Sequence, residues 1–356
     1  DKNMIRLIKD ECSSIVKYIR NHPSIALICG GNELKIGKSK KLVGILHKIV
    51  RKNATHLPFH PLSPYKYDSH SWYVWYGFAP INTYRYEKAQ IISEFGMQSI
   101  PNRSVLEKFL PRVALWPPNK LWIHHNAQID ILYYYAYKEK KNRTYIVLMN
   151  ALQSALLLLR IDKKYSIKNI IYRMIAKKLR HKNLDSFIKR TQLIQAMALK
   201  IAIEHFRTSN KHNGCIIWQL SDPWPNISWS IIDHYGNKKI GYYIVKMSYS
   251  PIQTFLIKEN EKINIVAYND THRYIKCNVS VYHNNRLLLQ RKIELERMEK
   301  KVIDKIVYLK GCYRTILRFE NEEIMNFYPD GYFDILSLPK NLLSYFSRLL
   351  MNINLL

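Results

Sequence analysis

The chain has 356 residues, and 56 Lys and Arg against 27 Asp and Glu leave a formal net charge of +29 at pH 7. With 47% hydrophobic and 12% aromatic residues it can bury one large core or two moderate ones, which excludes a disordered polyelectrolyte. The longest apolar stretch, Ile146 to Leu159, carries Asn150, Gln153 and Ser154 and falls short of the roughly 20 residues a spanning helix needs, so no membrane span is expected.

The opening segment places Ile5, Ile8, Cys12, Ile15 and Ile19 on one helical face, with Lys9, Asp10 and Lys17 turned away. Asn21-His22-Pro23 ends that helix, because the residue before a proline is pushed out of the helical region. Ile25 to Cys29 then reads as a short strand buried on both faces, tipped by Gly30-Gly31-Asn32-Glu33. The α/β pattern recurs: a helix over Leu42–Val50, a short strand over His56–His60, an aromatic strand over Trp72–Tyr76 and another strand over Ala89–Phe95. A long helical region follows, in which Ile194, Met197, Ala198, Ile201 and His205 share a face, and then a buried strand over Cys215–Leu220.

Beyond about residue 245 the period falls to two. Ile275, Cys277, Val279 and Val281 alternate with Lys276, Asn278, Ser280 and Tyr282, and Asn284-Asn285 makes a turn. Lys262–Tyr268, Leu287–Leu295, Val302–Leu309 and Thr315–Phe319 supply further strands, so an α/β part precedes a β-sandwich.

Five scattered cysteines (Cys12, Cys29, Cys215, Cys277, Cys312) with no C-x-x-C spacing argue against a disulfide framework or a structural zinc, and predict buried, reduced thiols. No secretion leader opens the sequence, so a cytoplasmic location is expected. No residues have metal-ligand spacing and there is no glycine-rich phosphate loop, so no cofactor is expected. The basic residues are dispersed apart from clusters at 38–41, 138–141 and 177–182, in a chain rich in Ile, Lys, Asn and Tyr throughout. Compositional bias explains that charge better than a nucleic-acid partner.

Glu33 and Glu94, in Ser93-Glu94-Phe95-Gly96, each end a predicted strand. Polar residues at the carboxyl ends of parallel strands gather at one face of an α/β barrel, where such enzymes keep their active sites. Spacing alone is equally met by two solvated strand-end glutamates.

Several blocks in order carry a resemblance. Asn21 to Leu27 running to Gly31-Asn32-Glu33 resembles the acid/base region of glycoside hydrolase family 2, and Ser93 to Pro101 its nucleophile region in the β-mannosidase version. Gly214 to Lys239 is similar to the last barrel strand and loop of those enzymes, and Thr191 to Arg207 to the helix before it. Asn269-Asp270-Thr271 and Pro339-Lys340 resemble parts of the terminal sandwich.

The resemblance implies about strands four to eight of a TIM (β/α)8 barrel over 1–245, with a helical insertion near 130–185, and an immunoglobulin-like β-sandwich over 246–356. It implies a retaining exo-β-mannosidase acting on β-mannosides or mannan-derived oligosaccharides, with Glu33 as acid/base and Glu94 as nucleophile. Mutual repulsion would help keep the acid protonated. Asn32 would meet the sugar 2-hydroxyl and Trp218 would be a platform for the sugar face. Trp72, Trp75, Tyr76 and His70 belong to a pocket-lining segment, while His124-His125 fits a packing role better. Other β-glycosidases of the family (β-galactosidase, β-glucuronidase, exo-β-glucosaminidase) and a non-catalytic sugar- or partner-binding fragment stand as alternatives. Family members carry sandwich domains and three barrel strands ahead of a helix like Met4–Tyr18, so the resemblance implies either a fragment or a separate chain that supplies them as a further partner.

Overall fold

The structure is a computed structural model and describes residues 2–137 and 173–333. Helix α1 (Lys2–Ile19) leads into β1 (Ile28–Cys29), α2 (Ile36–Asn53) and β2 (Phe59–His60). β1 and β2 pair in parallel, and a bridge between Asn32 and Ser63 prolongs the pairing. Next come β3 (Asp68–His70), a 3-10 helix (Ile81–Tyr86) and β4 (Ile91–Phe95). Helices α3 (Arg103–Phe109), α4 (Lys120–His124), α5 (Ile129–Tyr137) and α6 (Leu184–Thr208) precede β5 (Gly214–Ile217) and α7 (Ile240–Ser248). Strands β3, β4 and β5 form a second parallel sheet with β4 in the middle.

α6 is the central helix. The Asn183 side chain caps its start by accepting from the N–H groups of Asp185 (2.7 Å) and Ser186 (3.2 Å), and Asp185 faces the positive end of the helix dipole. It packs on β5, α5, α7 and the 3-10 helix, so most of its circumference is buried rather than one stripe.

The remaining strands are antiparallel: β6 (Ile252–Glu259), β7 (Lys262–Asn269), β8 (Ile275–His283), β9 (Arg286–Leu295), β10 (Lys300–Val307), β11 (Tyr313–Phe319) and β12 (Glu322–Tyr328). One sheet runs β10-β7-β6 and the other β12-β11-β8-β9. Hydrogen bonds from Thr315 Oγ1 and Asn326 Nδ2 to the Thr254 carbonyl, both 3.2 Å, tie the two sheets together. The sandwich is fastened to α6 by a buried cluster in which Lys200 bonds Glu204 and Asn326, and Tyr332 donates to Glu204 at 3.3 Å. One large apolar core therefore runs from the β3–β5 sheet through α6 into the sandwich. A second, small core of Val16, Ile49, Val50, Ala54 and Leu57 lies under α1 and α2.

Several local expectations are corrected. On α1 the buried residue is Val16, while Ile15 points to solvent. The strand expected over Ile25–Cys29 is two residues long and half exposed, because β2 pairs one edge and no strand among the described residues pairs the other. The expected strand Cys215–Leu220 is Gly214–Ile217, on the open edge of its sheet, and it is likewise half exposed. Trp72–Tyr76 is a turn closed by Tyr76 N–H to Trp72 C=O (2.9 Å); its apolarity reflects Trp72, Val74 and Trp75 packing into the core. Strands β3, β6 and β12 went unforeseen. Of the insertion near 130–185, residues 130–137, 173–179 and 184–185 are helical and 138–172 lie outside the described residues, as does Pro339-Lys340. All five cysteines are free, but only Cys277 is fully buried and Cys29 is exposed. Among the described residues no helix is long and apolar enough to cross a membrane.

Candidate active site

The carboxyl ends of the parallel strands converge. His70 closes β3, Glu94 lies one residue before the end of β4, Trp218 follows β5, and Asn32-Glu33 follow β1. His70 joins the two carboxylates: its Nδ1 is 2.9 Å from Glu33 Oε1 and 3.4 Å from Glu94 Oε2. One donor atom from each of Glu33, His70 and Glu94 falls within 4.8 Å of the others.

Their exposures differ. The Glu33 side chain is 54% exposed, Glu94 12% and His70 1%. Burial pushes the Glu94 carboxyl above its ordinary value; the His70 ring and the Trp72 N–H pull it back, Glu33 pushes it further up and Asn32 lowers it by a hydrogen bond. Of the two carboxyls Glu94 is the more enclosed, and its own burial is the largest cause of that upward push. Glu33 adopts φ 51°, a left-handed conformation that costs a non-glycine residue about 1–3 kcal/mol and clusters at functional sites. Its N–H donates to the Ser63 carbonyl at 2.6 Å, which holds that backbone in place.

Trp72 Nε1–H donates to Glu94 Oε2 at 3.2 Å, and its ring meets those of Tyr76 (5.7 Å) and Trp229 (5.9 Å) edge-on. Tyr76 is half exposed, hydrogen-bonds Gln128 and feels both glutamates; burial is the main cause of its raised hydroxyl. Trp75 is fully buried, stacked on Tyr135 and edge-on to Trp229, and donates to Gln128 Oε1 at 2.8 Å. Trp218 is partly exposed, and its backbone N–H donates to the Phe95 carbonyl at 2.9 Å. A Cβ on Gly96 would lie 2.1 Å from the Trp218 carbonyl oxygen, so only glycine lets β4 and the start of the next loop approach this closely. His124 and His125 sit away from the carboxylates, packed on Trp224, and His125 Nδ1 lies 2.8 Å from the Pro225 carbonyl.

Sequence reasoning missed the support behind His70. Its Nε2 is 2.9 Å from Ser63 Oγ, which donates to Asp68 Oδ2 at 2.5 Å, and Ser93 Oγ donates to the other Asp68 oxygen. The Asp68-x-His70 alternation was the available signal, since alternate strand residues share a face. The Glu33–His70–Glu94 group is also the one set, among the described residues, that could gather on a metal ion. It offers three donors where a closed zinc site uses four, and His70 Nδ1 already serves both carboxylates.

No family model matches the chain. It is 25% identical over 304 residues to β-mannosidase B of Aspergillus flavus, covering 72% of this chain and 31% of that protein. The Aspergillus niger enzyme of the same name is 24% identical over 309 residues, covering 74% and 32%. The chain thus spans about a third of the length of the curated relatives it matches. The crystal structure of a β-D-mannosidase from Dictyoglomus thermophilum superposes with a TM-score of 0.70 at 26% identity, over 95% of this chain and 42% of that one. An exo-chitosanase from Amycolatopsis orientalis shares the fold, with a TM-score of 0.58 at 16% identity over 92% and 39%. Helices on parallel strands, an antiparallel sandwich and these likenesses make this a glycosidase-like chain. Within that class it is β-mannosidase-like, of the glycoside hydrolase family 2 type.

Proposed function

We propose that this chain carries the catalytic carboxylates of a retaining exo-β-mannosidase. The observation that supports this best is the meeting of Glu33 and Glu94 through His70 at the carboxyl ends of parallel strands. The five parallel strands then form an arc of a (β/α)8 barrel, and the antiparallel sheets form an immunoglobulin-like terminal domain beginning near residue 246.

In this reading Glu94, backed by His70, Trp72 and Asn32, attacks the anomeric carbon. Glu33, on the open side, protonates the departing oxygen and then, as a base, takes a proton from the water that releases the sugar. Asn32 meets the 2-hydroxyl, and Trp218, Trp72, Tyr76 and His70 line the sugar pocket. The free edge of β1, with exposed Leu27 and Ile15 beside it, supports completion of the barrel by further polypeptide, contiguous or separate.

The test is labelling with a 2-fluoro-mannoside inactivator in the enzyme assembled with that polypeptide, followed by peptide mapping. Label is expected on Glu94, absent in Glu94→Gln. Glu33→Ala should slow turnover on the order of 10²–10⁴-fold with poor leaving groups, less with acidic phenols, and azide should restore it. Label on another residue would overturn the assignment, and preference for a galactoside, glucuronide or glucosaminide in a substrate panel would replace the sugar.

A further inference from the structure

Behind the strand that carries His70 lies a carboxylate with no part in the proposed chemistry. Glu87 follows the 3-10 helix and precedes β4. Its Oε2 accepts from Ser71 Oγ (2.7 Å), Ser69 Oγ (3.1 Å) and Tyr73 OH (3.2 Å). Its Oε1 accepts from the N–H groups of Lys88 (2.8 Å) and Ala89 (3.1 Å). Burial pushes this carboxyl up, yet the hydrogen bonds from Ser71, Ala89, Lys88 and Ser69 hold it below its ordinary value. An ionised acceptor is thus fixed at both oxygens, and charge-assisted bonds of this kind are stronger than neutral ones.

The three hydroxyls come from alternate residues, 69, 71 and 73. The residues between them are His70 and Trp72, two of the side chains that touch Glu94. The Ser71 N–H donates to the Glu94 carbonyl at 2.7 Å, so the clamped segment is also hydrogen-bonded to the strand carrying the carboxylate.

We propose that Glu87 is a positioning residue: one carboxylate grips Ser69, Ser71 and Tyr73 and thereby sets His70 and Trp72 against Glu33 and Glu94. This rests on the reading of Glu33 and Glu94 as the catalytic pair, but the clamp has its own physical readout. In Glu87→Ala the segment from Ser69 to Tyr73 loses its anchor, and His70 and Trp72 lose their setting. Misplacement by about 1 Å near the chemistry costs on the order of 10²-fold in rate.

The experiment compares the wild-type chain with Glu87→Ala and Glu87→Gln. Glutamine keeps a carbonyl for the two N–H groups, and the hydroxyls can turn to accept from its amide. Three quantities are read: the Trp72 indole N–H resonance, the Glu94 carboxyl titration by NMR, and kcat and KM on an aryl β-mannoside in the assembled enzyme. For Glu87→Ala the Trp72 resonance should shift and the Glu94 midpoint should rise, because two groups that lower it have moved. Its kcat should fall about 10²-fold, with KM changing far less, and Glu87→Gln should recover most of all three. A folded Glu87→Ala protein with wild-type resonance and midpoint would overturn the clamp. If Glu87→Ala does not fold, Ser71→Ala with Tyr73→Phe removes two of the three grips and decides by the same readouts. Shifts in both NMR quantities without any mannosidase activity in the wild-type assembly would uphold the clamp and sink the catalytic reading.

Discussion

Replacing Trp72 by Phe removes one N–H from the Glu94 carboxylate and leaves most of the aromatic wall standing. A hydrogen bond to a charged acceptor contributes about 1.5–3 kcal/mol, and the 3.2 Å separation from Glu94 Oε2 puts this one near the lower end. At 1.36 kcal/mol per pH unit the Glu94 midpoint should rise by about one unit. The sign for stability follows from linkage. Glu94 already titrates above its ordinary 4.5 in the folded chain, so the folded state binds the proton more tightly than the unfolded one. Stability from this group is therefore greatest below the ordinary value and is lost as pH rises through the folded midpoint. Trp72→Phe moves that midpoint up and deepens the loss at high pH. Its urea-unfolding free energy relative to wild type should be worse at pH 8 than at pH 4 by about 1.4 kcal/mol. The packing loss from the smaller ring is common to both pH values and cancels in that difference. An equal destabilisation at the two pH values, or a Glu94 midpoint that stays or falls, would refute the role given to the Trp72 N–H.

Three further outcomes are expected. Lys200→Met leaves Glu204 buried without its cation and should cost about 3–5 kcal/mol in urea melts, whereas adding Glu204→Leu should recover much of it; a cost under about 1 kcal/mol would show that the cluster does not hold the sandwich to α6. Gly96→Ala forces a methyl toward the Trp218 carbonyl, 2.1 Å from the ideal Cβ, and should destabilise by about 1–3 kcal/mol while shifting Trp218 fluorescence; a silent substitution would contradict that close approach. Duplex DNA should bind weakly, without sequence preference and with affinity falling steeply in salt, as a dispersed charge of +29 requires; salt-resistant binding in a filter assay would revive a nucleic-acid role.

Much of the architecture is legible in the residues because its signals are local. The spacing of Ile5, Ile8, Cys12, Ile15 and Ile19 marks α1 as a helix, though not which residue it buries, and the alternation from Ile275 to Val281 marks β8, since each period is a property of one element. The blocks around Glu33 and Glu94 single out two carboxylates without any coordinates. Where apolarity had to stand for geometry the reading failed: Trp72–Tyr76 is apolar because it is buried, and a turn can be buried as well as a strand. The length of β1 could not be read either, since burial of a strand depends on neighbours that pair with it and not on its own composition.

By itself, then, the sequence determines the kinds of most elements and the change from helical period to strand period near residue 245, and it singles out two glutamates. Only the tertiary structure decides that His70 stands between those glutamates, that Glu94 is the more enclosed of them, and that Ser63, Asp68 and Glu87 support the strand between. Those contacts join residues brought together by parallel pairing of β1 with β2 and of β3 with β4. Register between separate strands is set by packing across the whole sheet, and no local run of residues encodes it.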